Sequence, residues 1–197
     1  MARRPTLLRR LISPVVSRGR SFARDERGVT AIEFGILALP FFTIIFAIIE
    51  TTMMFLAAQV LDSAVEDASR MIKTGRAQAA GYNMTNFRSL MCGYTFGLFG
   101  TSCADVKIKV QKISNFTSTA TSNTVQTCDY TGTKTCTWTV TEDFNAGNGR
   151  DVIQVFAYYR WPLMVNLPYF NLKNQPDNYR LLGATRVFRN EPFVVSP

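Results

Sequence analysis

Histidine is absent from the 197 residues, and cysteine occurs only four times. Without an imidazole the chain has no ready general base near neutral pH. That excludes a Ser-His-Asp triad, a Cys-His dyad and a histidine-ligated metal built from this chain alone. No two cysteines are spaced Cys-x-x-Cys, so zinc has only the bare count of four in its favour. Acidic residues are scarce too, 14 Asp+Glu against 22 Lys+Arg, for a net charge of +8. The excess is local. Residues 1–27 hold eight arginines against Asp25 and Glu26, a charge of +6, which leaves +2 for the other 170 residues. A nucleic-acid-binding domain carries its cations on a folded face; here a tail carries them, and no nucleic-acid partner is expected. The length suits one modest domain plus a helix or tail.

Charge then nearly vanishes. Residues 29–49 contain one charged side chain, Glu33. A helix of that length covers roughly 31 Å at about 1.5 Å per residue, matching a bilayer core of about 30 Å. Arginines gathered before an apolar helix stay in the cytoplasm and send the C-terminal part across, so a single-pass protein is expected, N-terminus inside. A secretory signal has an apolar stretch of about 7–15 residues ending at a small-x-small site. The uncharged run 34–49 exceeds that, and no such site falls at its exit.

Periodicity continues past the membrane segment. Phe55/Leu56, Val60/Leu61, Ala64/Val65, Ala68 and Met71/Ile72 recur every three to four residues, while Asp62, Glu66, Asp67, Arg70 and Lys73 take other faces. One helix is therefore predicted from about Val29 to Lys73, with Gly75 as its stop. Pro40 interrupts it, removing a donor and crowding the carbonyl of Ile36, so a kink is expected there. Glu50 falls near the outer boundary, facing headgroups.

The informative stretch is Arg27, Gly28, Val29, Thr30, Ala31, Ile32, Glu33 and Phe34. A carboxylate inside an apolar helix costs about 2.5–3.5 kcal/mol at the bilayer centre and less near its edge, so it normally has a partner. Arg27 or a phospholipid headgroup can serve. Alternatively, cutting between Gly28 and Val29 creates an amine on Val29 that a neighbouring subunit's Glu33 can neutralise. Basic leader, Gly28 and Glu33 as the fifth residue from Val29 resemble the class III signal of type IV pilins and pseudopilins, which prepilin peptidase cuts after glycine. The longer run RGVTAIEFGILALPFFTIIFAIIETT, with Glu33-Phe34, Leu39-Pro40 and Ile49-Glu50, resembles the TadE-like family of the tight-adherence (Tad/Flp) pilus system, and Arg189-Asn190-Glu191-Pro192-Phe193 is a weaker echo. The resemblance covers about residues 27–70. It implies that the membrane is the bacterial inner one, and a pseudopilin-like subunit whose partners are the prepilin peptidase, other pilins or pseudopilins, the inner-membrane assembly platform and the lipid bilayer. The related TadG-like group keeps its anchor uncut, which leaves a permanently anchored binding or alignment protein as the alternative.

The remaining residues, 74–197, form an exported domain large enough for one small core. The predicted order is leader 1–28, membrane helix 29–50, amphipathic continuation 51–73, then this domain. Residues 105–113 alternate with Val106, Ile108 and Val110 on one face; residues 135–141 alternate with Cys136, Trp138 and Val140. Residues 145–149 read as a hairpin turn leading into a strand at 151–160, and 179–189 offers a fourth strand. A long helix laid on a small antiparallel sheet is an α+β arrangement, which is also what pseudopilins look like. Cys92, Cys103, Cys128 and Cys136 all follow the membrane segment, as disulfides in an oxidising compartment require. Four cysteines allow three pairings; sequence order favours Cys92 with Cys103 and Cys128 with Cys136.

No cofactor is expected and no catalytic residue is assigned. A tethered enzyme using Glu142 and Asp143 lacks any sign that two acids share a pocket. Gly93 and Gly97 sit outside the apolar helix, and Gly147-Asn148-Gly149 lacks the continuation of a phosphate loop. Tyr158, Tyr159, Trp161 and Tyr169 fit core or sheet packing better than a binding strip. Asn83 and Asn115 each open a short glycosylation-like tripeptide.

Overall fold

The computed structural model describes residues 27–119, 125–164 and 172–194. The basic leader up to residue 26 and Tyr169 lie outside them. The chain divides into two compact units, residues 1–46 and 47–197. Three helices are described, α1 (Arg27–Lys73), α2 (Arg76–Ala79) and α3 (Met84–Gly93). The strands are β1 (Lys107–Ile113), β2 (Gln126–Cys128), β3 (Cys136–Trp138), β4 (Asp143–Phe144), β5 (Val152–Pro162) and β6 (Tyr179–Arg189). The class is α+β, as the sequence pattern indicates.

In the first unit, the described part is the N-terminal portion of α1, which runs unbroken through Pro40. The second unit contains the rest of α1 and the domain. Its helical stripe is Met54, Ala57, Leu61, Ala64, Val65, Ala68 and Ile72, all buried. The expected stripe thus needs a correction at its start, because Phe55 and Leu56 are exposed. A helix advances about 100° per residue, and Leu61, Val65, Ala68 and Ile72 project back onto Met54 and Ala57, leaving Phe55 and Leu56 to the sides. Lys73 ends the helix, and Gly75 turns the chain at φ 78°, a left-handed conformation that costs glycine little.

The main sheet has the order β4-β1-β5-β6. β1 and β6 flank β5 antiparallel along their full lengths, with Val110 opposite Val155 and Ala157 opposite Ala184. β4 joins the outer edge of β1 in parallel, Val110 opposite Phe144. Residues 145–149 are therefore a crossover and not a hairpin turn. Both edges of β5 are already taken by β1 and β6, so the chain leaving β4 must pass β1 to reach β5. β2 and β3 form a separate two-stranded sheet. Val106 just before β1, Ile108 and Val110 from β1, Ile153, Val155 and Ala157 from β5 and Leu182 and Ala184 from β6 share one core cluster with the α1 stripe and with Phe87 and Met91 of α3.

Two disulfides brace the domain. Cys92 pairs with Cys103, closing the turn after α3, and Cys128 pairs with Cys136 across β2 and β3. Asn83 caps α3 reciprocally with Asn86, and Asn115 caps the short 3-10 turn that follows β1. Both asparagines thus have structural work as caps.

Candidate functional site: the apolar helix and its junction

Gly28, Val29, Glu33 and Phe34 lie in the first two turns of α1, and all four are exposed. A β-carbon on Gly28 would meet open space. Val29 and Glu33 are four residues apart, so they share a helix face, one turn of about 6 Å apart. Among the described residues Glu33 has no ion-pair partner. Ile32, Phe34, Ile36, Leu37, Leu39, Phe41, Phe42, Ile44, Phe46, Ile48 and Ile49 are all exposed, so apolar side chains surround the segment on every side. A helix apolar all round suits a lipid environment and not the surface of a soluble domain. Its hydroxyls are handled accordingly. Thr43 donates to the carbonyl of Leu39 at 2.7 Å, Thr51 to Ala47 at 2.7 Å and Thr52 to Ile48 at 2.8 Å, so none of these three depends on water.

Glu50 is engaged by the domain: its carboxylate accepts the backbone N–H of Met164, just beyond β5. Met164 has left the ladder and its amide needs an acceptor, which Glu50 supplies at the level of α1 expected to face headgroups. Further along, Arg186 of β6 reaches Asp62 at 2.5 Å and Glu66 at 3.2 Å, and the hydrogen bond it donates to Asp62 holds its guanidinium above the usual arginine range. The helix thus meets the sheet through a polar contact at each level. At its end the carbonyl of Lys73 accepts from the amide of Glu191 at 2.9 Å.

That last contact belongs to a junction that sequence reasoning missed. Asn190 is buried and donates to the carbonyls of Ala146 (3.0 Å) and Asn148 (2.9 Å). Gln78 donates to Ala146 at 2.9 Å. The ring of Phe193 lies where a Gly75 β-carbon would be, 2.6 Å away, and the Phe193 backbone nitrogen lies 2.8 Å from the β-carbon position of Gly149. Three separate sequence signals, the Gly75 stop, the glycine-rich 145–149 stretch and Arg189-Asn190-Glu191-Pro192-Phe193, are one packed joint. The glycines themselves were the available signal, since each marks a close backbone approach.

Glu142 and Asp143 do not form an acid pair. Glu142 binds Arg88 at 2.5 Å and accepts from the amide of Ile108 at 3.3 Å, whereas Asp143 bonds the next amide in its own chain. Tyr159 and Trp161 pack edge-on against Phe99, with centroids at 4.8 and 6.3 Å. Arg160 lies over the Trp138 ring at 4.5 Å, joining the small sheet to β5.

Among the described residues one helix is long and apolar enough to cross a membrane, as in a single-pass membrane protein. Residues 28–70, covering the apolar helix and most of its amphipathic continuation, match the family model described as TadE-like protein. No curated protein matches the chain, and no solved structure does either.

Proposed function

We propose that this protein is a pseudopilin-like component of Tad pilus biogenesis, anchored in the inner membrane with its N-terminus in the cytoplasm and its disulfide-braced domain outside. The observation that carries the reading is the juxtaposition, within a TadE-like segment, of Gly28, Val29 and Glu33 at the start of an apolar helix whose whole surface is free for lipid or other helices. Prepilin peptidase cuts after Gly28. The new Val29 amine of one subunit then pairs with Glu33 of the next, so that two charges that are costly in lipid cancel as helices pack. Phe34 lies beside Glu33 in that contact. Pro40 leaves the Ile36 carbonyl without its helical donor and gives the segment a point of bending. The partners are other pilins or pseudopilins and the membrane assembly platform.

Intact mass and N-terminal sequencing of the protein from its native membrane, with and without the peptidase, test the cleavage. A start at Val29 that depends on the peptidase is expected. One observation favours a second reading: α1 already begins at Arg27, so the Gly28–Val29 bond lies in a helical turn and not in an extended strand. A chain that retains residues 1–28 in the presence of active peptidase is a permanently anchored TadG-like protein, and the pairing role of Glu33 falls with it.

A further inference from the structure

The second unit ends abruptly where α1 leaves it, and that end is unusually apolar. Met164, held at the level of Glu50 by its amide, is 90% exposed. Phe96 is 91% exposed. It sits on the turn between α3 and β1, which the bond between Cys92 and Cys103 closes. Phe99, three residues on, is buried against Tyr159 and Trp161, the last residues of β5 before Pro162 and Met164. The turn and the β5 terminus therefore share one end of the domain. Met53, Phe55 and Leu56 of α1, also exposed, lie within two turns of Glu50.

The turn is built to hold Phe96 outward. Thr95 is buried and donates its hydroxyl to the carbonyl of Cys92 at 2.8 Å, and the amide of Leu98 returns to Thr95 at 3.0 Å. Phe96 adopts φ 53° and Gly97 φ 76°. The left-handed region is disfavoured by any β-carbon, so it is an odd place for phenylalanine unless the presentation matters.

We propose that Phe96 and Met164 are the foot on which the domain rests in the bilayer surface, their side chains entering the boundary between headgroups and acyl chains. The occupant is lipid because the same end emits the apolar helix, and Met53, Phe55 and Leu56 add exposed apolar side chains just past Glu50. An aromatic ring and a thioether held rigidly at that level gain apolar burial only if lipid covers them. The inference rests on the helix entering a bilayer and is independent of cleavage after Gly28.

The test uses the full chain in phosphatidylcholine–phosphatidylglycerol nanodiscs, with p-benzoylphenylalanine replacing Phe96, Met164 or, as a control, Phe116. Phe116 is 54% exposed just beyond Ile113, at the opposite end of β1 from the strand pairing with Tyr158. Irradiation is expected to give phospholipid adducts at 96 and 164 at least fivefold above those at 116. Equal yields at 96 and 116, or adducts at 96 formed only with a second protein chain, overturn the proposal. Phe96→Trp supplies a second readout without crosslinking. Its fluorescence beyond that of the unsubstituted chain is expected to be quenched by lipids brominated on the acyl chain, and unquenched added emission rejects the foot.

Discussion

At the scale of single residues, the most consequential side chains are those whose surroundings leave them one option. Asp129 lies in an exposed turn inside the loop closed by Cys128 and Cys136, and the amide of Gly132, then the amide and hydroxyl of Thr131, hold its carboxyl down to about 2. The folded value lies below the ordinary 3.8, so the contribution of this group to stability is present above about pH 4 and is lost as the pH falls through about 2. A carbon-detected NMR titration of the Asp129 carboxyl should show a midpoint near 2; a midpoint near 3.8 means that the turn does not hold in solution. Leu61 is fully buried between α1 and the sheet. Leu61→Ala should cost about 2–5 kcal/mol, read as a lower denaturation midpoint of the full chain in detergent. Arg186, by contrast, is partly exposed, as are both its carboxylate partners. Arg186→Met should change stability by less than about 1 kcal/mol, the range measured for surface pairs.

Between elements, the joint of Gly75, Gly149 and Phe193 makes a prediction that separates two kinds of crowding. An alanine at either glycine would collide with Phe193, but at Gly75 the obstacle is its ring and at Gly149 its backbone. Each single substitution should destabilise by about 1–3 kcal/mol. Phe193→Ala should recover much of the loss for Gly75→Ala, apart from the left-handed backbone cost, and none of it for Gly149→Ala. Thermal melts of the three single and two double variants check this, and equal recovery at both sites would sink the arrangement. Elements are also where the sequence is most and least readable. Alternation in 105–113 and the three-to-four repeat up to Ile72 are local patterns, and the corresponding strand and helix form. The parallel seat of β4, the outward turn of Phe55 and Leu56, the capture of Glu50 by Met164 and the docking of Phe193 are pairings between residues far apart in sequence. No local period encodes them, because each depends on which strand edges and helix faces remain after the others are taken.

Taken as a whole, the molecule combines an apolar helical segment exposed on its sides with a small domain built on the rest of that helix. The bond between Cys92 and Cys103 closes a loop with a sequence separation of 11, for which loop-closure entropy gives about 3 kcal/mol. For a small domain that is a large share of a total stability of about 5–15 kcal/mol. Reduction should therefore lower the melting temperature of the full chain in detergent by about 10 °C or more; an unchanged melt means the core suffices alone. For the assembly reading, Glu33→Gln should leave membrane insertion intact and reduce piliation of the native host at least several-fold. Normal piliation would remove Glu33 from the mechanism.

The bond between the carbonyl of Lys73 and the amide of Glu191 carries a consequence in time. Residue 191 is synthesised 118 residues after residue 73, which takes roughly 6–24 s at about 5–20 residues per second. For most of that interval Leu61, Val65, Ala68 and Ile72 have been made but β6, which shares their core cluster, has not. The nascent chain therefore passes through an obligatory waiting period with an adhesive helix and no finished fold, and any truncation upstream of β6 makes that state permanent.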